Sequence, residues 1–277
     1  MKKKYDIIFL SIGKNVANYI HFYFNFLNKL KKKTSLLCII GENDSKDQTL
    51  EIIKKEIKKS KYDLILLNLF FLKKIKDRVL RISRGRQHLL NFIKKKSFFS
   101  KFVVVIDIDD VLPEKINVNK FVRLLEKLDN SRNELFGISI KSLPHYYDLY
   151  PLIIEDYYKY PVSKFNSLNK DPLNYYLLRK KKVINFQKKI TLMNDIKTIS
   201  SHNGMTIYLF KDYIKSNYLI NIKRKVSEHS LFNVKLHLMT KKHILMTNDI
   251  KFKAPTAHIV DNFFLVFFSY IKKFFKS

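Results

Sequence analysis

The first half of this chain alternates short, wholly apolar runs with amphipathic segments, and that rhythm limits its possible folds more than any other feature. Residues 6–11 form an apolar, β-rich run ending at Gly13, residues 15–30 are helical and aromatic, and residues 36–40 form a second buried run closed by Gly41. Residues 45–59 read as a helix with Leu50, Ile52, Ile53 and Ile57 apolar and lysines elsewhere. Asp44 or Ser45 can serve as its N-cap. A third strand over 63–69, a helix over 78–94 and a fourth strand over 102–106 follow. The fourth is continuously apolar, as a strand covered on both faces should be. Such an order predicts an α/β fold: a mostly parallel, doubly wound (Rossmann-like) sheet with helices on both faces. Ligands of these sheets bind beyond the carboxyl ends of the strands, so the polar clusters after each strand are the candidate functional positions.

The second half is less regular. Residues 135–140 read as a strand, 142–170 as an irregular, Tyr- and Pro-rich loop with short helical pieces, and 186–208 as one or two strands around Gly204. A helix over 228–239 and a strand over 243–252 complete it. A length of 277 residues suits one large domain, here 1–261, with a tail over 262–277. The lone cysteine, Cys38, sits in an apolar run and reads as a small core residue. With no second cysteine to pair with, it points to a reducing, cytoplasmic setting.

The formal charge of +30 invites a nucleic-acid reading. Only 8 of the 54 basic residues are arginine, however, and the abundance of Lys, Ile, Asn and Phe is what an AT-rich coding sequence yields. No nucleic-acid partner is expected on that account. The charge still draws the protein toward anionic lipid and phosphorylated substrates.

Three clusters carry chemistry. Gly41 through Thr49 (GENDSKDQT) follows the second strand, and its acidic and amide groups can hydrogen-bond a base and ribose. At the end of the fourth strand, Val103-Val104-Val105-Ile106 runs into Asp107-Ile108-Asp109-Asp110. Alternation along a strand would place Asp107 and Asp109 on one face. Crowded carboxylates repel unless a cation joins them, and hard divalent ions prefer oxygen ligands. A cation there could bridge two phosphates and stabilise a departing diphosphate. Finally, half the arginines (Arg78, Arg81, Arg84 and Arg86) lie within nine residues. In a lysine-biased chain this marks places where planar, bidentate contacts to a diphosphate or carboxylate matter.

In this order the clusters resemble GT-A glycosyltransferases, in particular the fungal capsule-associated α-1,3-mannosyltransferase group and related bacterial or viral enzymes. The matching segments are Glu42-Asn43-Asp44-Ser45-Lys46-Asp47-Gln48-Thr49, Arg78 through Gln87, the strand ending at Asp107-Ile108-Asp109, Tyr146-Tyr147-Asp148-Leu149-Tyr150, Ser200 through Tyr208, and Glu228-His229-Ser230-Leu231-Phe232-Asn233. Two departures stand out: Gln87 where the family usually has Asn, and Asn203 before Gly204 where a small or aromatic residue is expected. The resemblance implies a donor site in which Glu42, with Asp44 beside it, meets the base or ribose. Arg86 would meet the diphosphate, Asp107 the ribose or donor sugar, and the Gly204 segment the donor sugar and acceptor. It implies Asp109 and His258 as ligands of a divalent metal (Mn²⁺ or Mg²⁺). Glu228-His229 would be the catalytic or acceptor-binding pair at a helix start. The donor it implies is a nucleotide-diphosphate sugar, GDP-mannose in the named group, with retention of configuration. The acceptor would be a polysaccharide or lipid-linked glycan.

Two other readings compete. A basic nucleic-acid-binding protein would focus its charge on one face. A nucleotidyltransferase would carry a Gly-rich phosphate loop after its first strand, where this chain has only Ser11-Ile12-Gly13-Lys14-Asn15. Residues 262–275 carry Phe263, Phe264, Val266, Phe267, Tyr270, Ile271, Phe274 and Phe275 at helical spacing, with lysines at the end. This suits a helix lying on the inner face of an anionic membrane. The tyrosines Tyr146, Tyr147, Tyr150, Tyr157, Tyr158 and Tyr160 could stack on sugar rings.

Overall fold

Each predicted apolar run becomes a strand of one eight-stranded mixed sheet. The structure, a computed structural model, describes residues 4–155, 158–159, 172–219 and 226–255. In chain order the strands of the first half are β1 (Lys4–Gly13), β2 (Leu36–Glu42), β3 (Asp63–Asn68) and β4 (Phe99–Ile106), and all pair in parallel. They are joined by α1 (Ile20–Leu30), α2 (Thr49–Lys59) and α3 (Arg78–Lys95), with a 3₁₀ turn at Phe70–Lys74. The second half adds α4 (Val118–Asn130), β5 (Leu135–Leu143), the small hairpin β6 (Ile153–Ile154) and β7 (Tyr158–Lys159), α5 (Pro172–Arg179) and a π-helical turn at Lys180–Ile184. It continues through α6 (Asn185–Leu192), β8 (Ile196–Thr198), β9 (Met205–Leu209), the single-turn α7 (Phe210–Tyr213), α8 (Glu228–Thr240) and β10 (His243–Lys253).

The strand order is β3-β2-β1-β4-β9-β5-β10-β8. The late strand β9 runs antiparallel between β4 and β5, and β8 is antiparallel at the far edge. The expected mostly parallel α/β sheet with covered faces is therefore present. Along the strands the side chains alternate between two cores. Phe9, Cys38, Val104 and Ile106 meet α1, α2 and α4 through Tyr23, Leu27, Ile53 and Phe121. Ile8, Leu37, Ile39 and Val105 meet α3 and α8 through Leu89, Leu90, Ile93, Phe232 and Leu236. A third cluster of Tyr146, Leu149, Leu152, Ile190 and Met246 packs the irregular segment onto the sheet.

Several expectations shift. The first helix starts at Ile20 rather than residue 15, because residues 15–17 are stitched to the loop after β2. Asn15 adopts φ 55° and its N–H donates to Ser45 Oγ at 2.9 Å. The Val16 N–H donates to Thr49 Oγ1 at 2.8 Å, the Ala17 N–H to Asp47 Oδ2 at 3.1 Å, and the Lys46 N–H to Asn15 Oδ1 at 2.8 Å. For the same reason α2 starts at Thr49, and neither Asp44 nor Ser45 caps it; the Thr49 N–H donates to Asp47 Oδ1 instead. The region expected to hold one or two strands around Gly204 holds two, β8 and β9, and the residues ahead of them, Asn185–Leu192, form a helix. Cys38 is buried with its thiol against Tyr23, and burial pushes that thiol up to about 12, as befits a core residue. Among the described residues no helix is long and apolar enough to cross a membrane. His258, Tyr157, Tyr160 and the tail over 262–277 lie outside the described residues.

Candidate active site

A cavity of about 490 Å³ opens at the carboxyl ends of β1, β2 and β4. It is lined by Ile12, Gly13 and Asn43, by a wall of Asp107, Asp109 and Asp110, and by a second wall of Glu228 and His229 at the start of α8. Arg78, Arg81 and Arg86 line it from α3, and Tyr147, Asp148 and Tyr150 from the segment after β5.

Strand β4 ends at Ile106, so Asp107 and Asp109 stand on the turn beyond it, not on one face of a strand. The turn is held in place by β9: the Asp107 N–H donates to Gly204 O at 2.8 Å, continuing the β4–β9 ladder by one step. Gly204 has φ +84°, and a Cβ there would lie 2.7 Å from Phe252 Cδ2. The residue therefore shapes the backbone behind the aspartates. It is not among those lining the cavity.

Arg86 is 6% exposed and bridges the two walls. Its Nη2 donates to Asp107 Oδ1 at 2.8 Å, and its Nε donates to Glu228 Oε1 at 3.3 Å. The fork predicted to grip a diphosphate is thus engaged with two carboxylates. The Glu228 carboxylate also sits in the first turn of α8, where the helix dipole favours negative charge. The N-cap of that helix is Ser227, whose hydroxyl accepts from the His229 N–H at 3.3 Å.

On the other side of Asp107, His202 Nε2 meets Oδ2 at 3.2 Å while Nδ1 meets the Thr206 hydroxyl at 2.9 Å. Burial alone would raise the Asp107 carboxyl, but His202 and Arg86 outweigh it and hold it well below the usual carboxylate range. Asp109 behaves oppositely: burial, then the charges of Asp107 and Asp110, push its carboxyl up to about 7. Burial, then Asp107 and Glu228, raise Asp148 well above the ordinary range, against the pull of Arg78 and Arg86. Asp107 is thus pushed one way and Asp109 and Asp148 the other within one cavity, a pattern common where acid–base or metal chemistry is done.

His229 stacks on His202, ring centroids 3.7 Å apart and planes 15° from parallel. It is 3% exposed, and burial, then His202 and Arg86, push it well below the ordinary histidine value. Neither ring nitrogen has a hydrogen-bond partner among the described residues; Nε2 lies 3.6 Å from Glu228 Oε1. A buried imidazole with both nitrogens unsatisfied is costly, and a ligand hydroxyl in the cavity would satisfy it.

The structure brings Arg86, Asp107, Asp109, Glu228 and His229 together, and leaves two predicted donor residues to the side. The Glu42 carboxylate is 4% exposed and accepts from the Ser45 N–H at 2.6 Å, fixing the stitched loop. Asp44 has φ 54° and pairs with Lys73 Nζ at 3.2 Å. Neither lines the cavity; Asn43, between them, does. Arg84 is exposed on α3. Of the tyrosines, Tyr147 and Tyr150 line the cavity, whereas Tyr146 and Tyr158 belong to the third core cluster. Sequence reasoning assigned no role to His202 or Asp148, although both lie in segments that carried the family resemblance. A polar His-Asn pair just before a glycine and an apolar strand was the available signal for His202. Among the described residues no group of three or more His, Cys, Asp or Glu side chains is arranged to hold a metal ion.

No protein-family model matches the chain, and no curated protein matches its sequence. Solved structures do match its fold. One is S. aureus TarS in complex with UDP-GlcNAc, at 17% identity and a TM-score of 0.50, covering 92% of this chain and 60% of that one. Another is the mannosyltransferase PcManGT from Pyrobaculum calidifontis in complex with GDP-Man and Mn²⁺, at 12% identity and a TM-score of 0.52, covering 91% of this chain and 57% of that one. The chain spans about three fifths of the length of these structures and has the fold of glycosyltransferases of the GT-A type.

Proposed function

We propose that the protein is a metal-dependent glycosyltransferase that moves a sugar from a nucleotide-diphosphate sugar onto an acceptor hydroxyl. One observation carries the reading: a strand-end aspartate turn, Asp107–Asp110, shares a cavity with an acid–imidazole pair, Glu228 and His229, at the carboxyl edge of a glycosyltransferase-type sheet. The chemistry of the acidic wall fits a divalent cation. Burial, then the charges of Asp107 and Asp110, hold the Asp109 carboxyl up at about 7, and Mn²⁺ or Mg²⁺ would relieve that crowding. Asp109, with His258, would hold that ion, and the ion would offset charge on the leaving diphosphate.

The residues of the chain have separable tasks. Arg86 holds Asp107 and Glu228 in place. Asp107 faces the ribose or donor sugar. Glu228 accepts a hydrogen bond from the acceptor hydroxyl, or its proton, and neutral His229 meets a second hydroxyl. Arg78 and Arg81, at the rim, face the phosphates. Asn43 takes the place at the nucleotide that sequence reasoning gave to Glu42. GDP-mannose is the first donor to try, on the resemblance to capsule mannosyltransferases, and a glycan or lipid-linked acceptor at the inner face of a membrane is the matching acceptor class.

The test is a thermal-shift screen of nucleotide-sugars with Mn²⁺, followed by a transfer assay with the donor that stabilises. A donor at about 100 times its Kd should add about 2.7 kcal/mol of stability. If free nucleoside triphosphates with a phosphorylated sugar stabilise and nucleotide-sugars do not, the protein is a nucleotidyltransferase. If no nucleotide stabilises it, the proposal fails.

A further inference from the structure

β3 is the outer strand of the sheet, and the chain leaves it through the 3₁₀ turn Phe70–Lys74. In that turn Leu72 is 1% exposed and points inward, where it lines the cavity and would lie 3.2 Å from a Cβ at Gly85. Seating Leu72 turns its neighbours outward: Phe70 is 51% exposed and Phe71 45%. Phe71 lies against the exposed imidazole of His88 at 5.3 Å. The core uses neither phenyl ring fully, and adjacent exposed phenylalanines are costly in water unless something covers them.

The surroundings are basic. Lys73, Lys74 and Lys76 are exposed just after the two rings, and Arg84 is exposed one turn before His88 on α3. The two acids nearby are already engaged: Asp44 pairs with Lys73, and Asp77 caps α3 by accepting from the Leu80 N–H at 2.7 Å. The knuckle is therefore two apolar rings inside a collar of cations. We propose that this Phe70–Lys76 knuckle docks the protein on an anionic lipid bilayer, with both rings in the head-group region and the lysines on the lipid phosphates. Long lysine stems reach back to the interface while the rings enter it, and the charge complements an anionic leaflet. The next residues along the chain, Arg78, Val79, Arg81 and Ile82, line the cavity, so docking sets the cavity mouth beside the membrane surface. The inference rests on this surface alone and holds whatever chemistry the cavity performs.

Co-sedimentation of the full chain with vesicles of phosphatidylcholine, with and without phosphatidylglycerol, at low and high salt, tests it. The protein should bind the anionic vesicles and lose binding in salt. Phe70→Ser/Phe71→Ser should weaken binding by about tenfold or more, and Lys74→Glu/Lys76→Glu should weaken it comparably. Both should melt with the parent. Lys54→Glu/Lys55→Glu, on exposed positions of α2, carries the same charge change elsewhere and should bind within about twofold of the parent. The proposal is overturned if the parent ignores anionic vesicles, if the phenylalanine variant binds as the parent does, or if the α2 variant loses as much as the knuckle variant. A parent that self-associates until the phenylalanines are removed, with no vesicle binding, would assign the patch to a second copy of the chain and equally overturn it.

Discussion

Replacing Arg86 by alanine removes the one cation between two buried carboxylates, and its effect can be worked from the geometry. Arg86 has 7% of its side chain exposed, Glu228 10% and Asp107 24%. Breaking a fully buried ion pair costs about 3–5 kcal/mol, because the partner is left charged and unsolvated. Asp107 keeps partial contact with water, so the lower end, about 3 kcal/mol, is expected. The pH dependence has a definite sign. Asp107 is held below its ordinary value of 3.8, so in the parent its contribution is present above that value and lost as pH falls through the lower, folded-state value. In the variant only the part that His202 supplies remains. The penalty should be largest near neutrality and shrink toward about pH 4 as the stranded carboxyls take up protons. Urea unfolding at several pH values measures this directly. Arg86→Ala/Asp107→Asn/Glu228→Gln should recover most of the stability while staying inactive, whereas Arg86→Lys, which lacks the fork, should recover little. A penalty below about 1 kcal/mol, or one independent of pH, would refute the bridging role.

Other residues give further tests. Asp109→Ala should abolish transfer and the stabilisation by Mn²⁺ while leaving the fold intact; full activity in EDTA would remove the metal from the mechanism. The Asp109 carboxyl is raised from 3.8 to about 7, so metal-free protein should lose stability as pH rises between those values. Asp109→Asn should flatten that slope, by only about 1 kcal/mol because water reaches the residue, and calorimetry across pH checks it. Gly204→Ala should cost about 1–3 kcal/mol in urea unfolding, since it combines a left-handed backbone with a close approach to Phe252. His229→Phe keeps the stack on His202 but removes two unsatisfied nitrogens. It should melt no lower than the parent yet turn over at least about tenfold more slowly, and normal turnover would make His229 a packing residue only.

The parallel half of the sheet was legible because its strands are short, apolar and separated by amphipathic helices, a pattern set locally. Asp107 and Asp109 were legible because three aspartates at the end of a buried strand have few structural uses. Glu42 shows where local pattern stops, for a physical reason. A carboxylate after a strand can serve a ligand or its own loop, and which it does depends on a backbone N–H three residues away. The early start expected for α1 failed similarly, because its first turn is bonded to the loop 30 residues later. The roles of His202 and Arg86 come from contacts across 95 and 142 residues, a distance at which hydrophobic periodicity carries no information. The antiparallel entry of β9 between β4 and β5 was invisible for the same reason.

That entry has a consequence for how the chain is made. Residues 4–106 can assemble β3-β2-β1-β4 without anything that follows them, β4 closing on β1 from Lys4 to Phe99. The outer side of β4 then waits for β9, about a hundred residues downstream on the emerging polypeptide. During that interval Val103, Val104, Val105 and Ile106 present an unpaired, uncharged edge, the sort of template that recruits other strands. The wall bearing Glu228 arrives later still. A nascent chain stalled before β9 would hold the aspartate turn without its anchor at Gly204, and would be a substrate for chaperones.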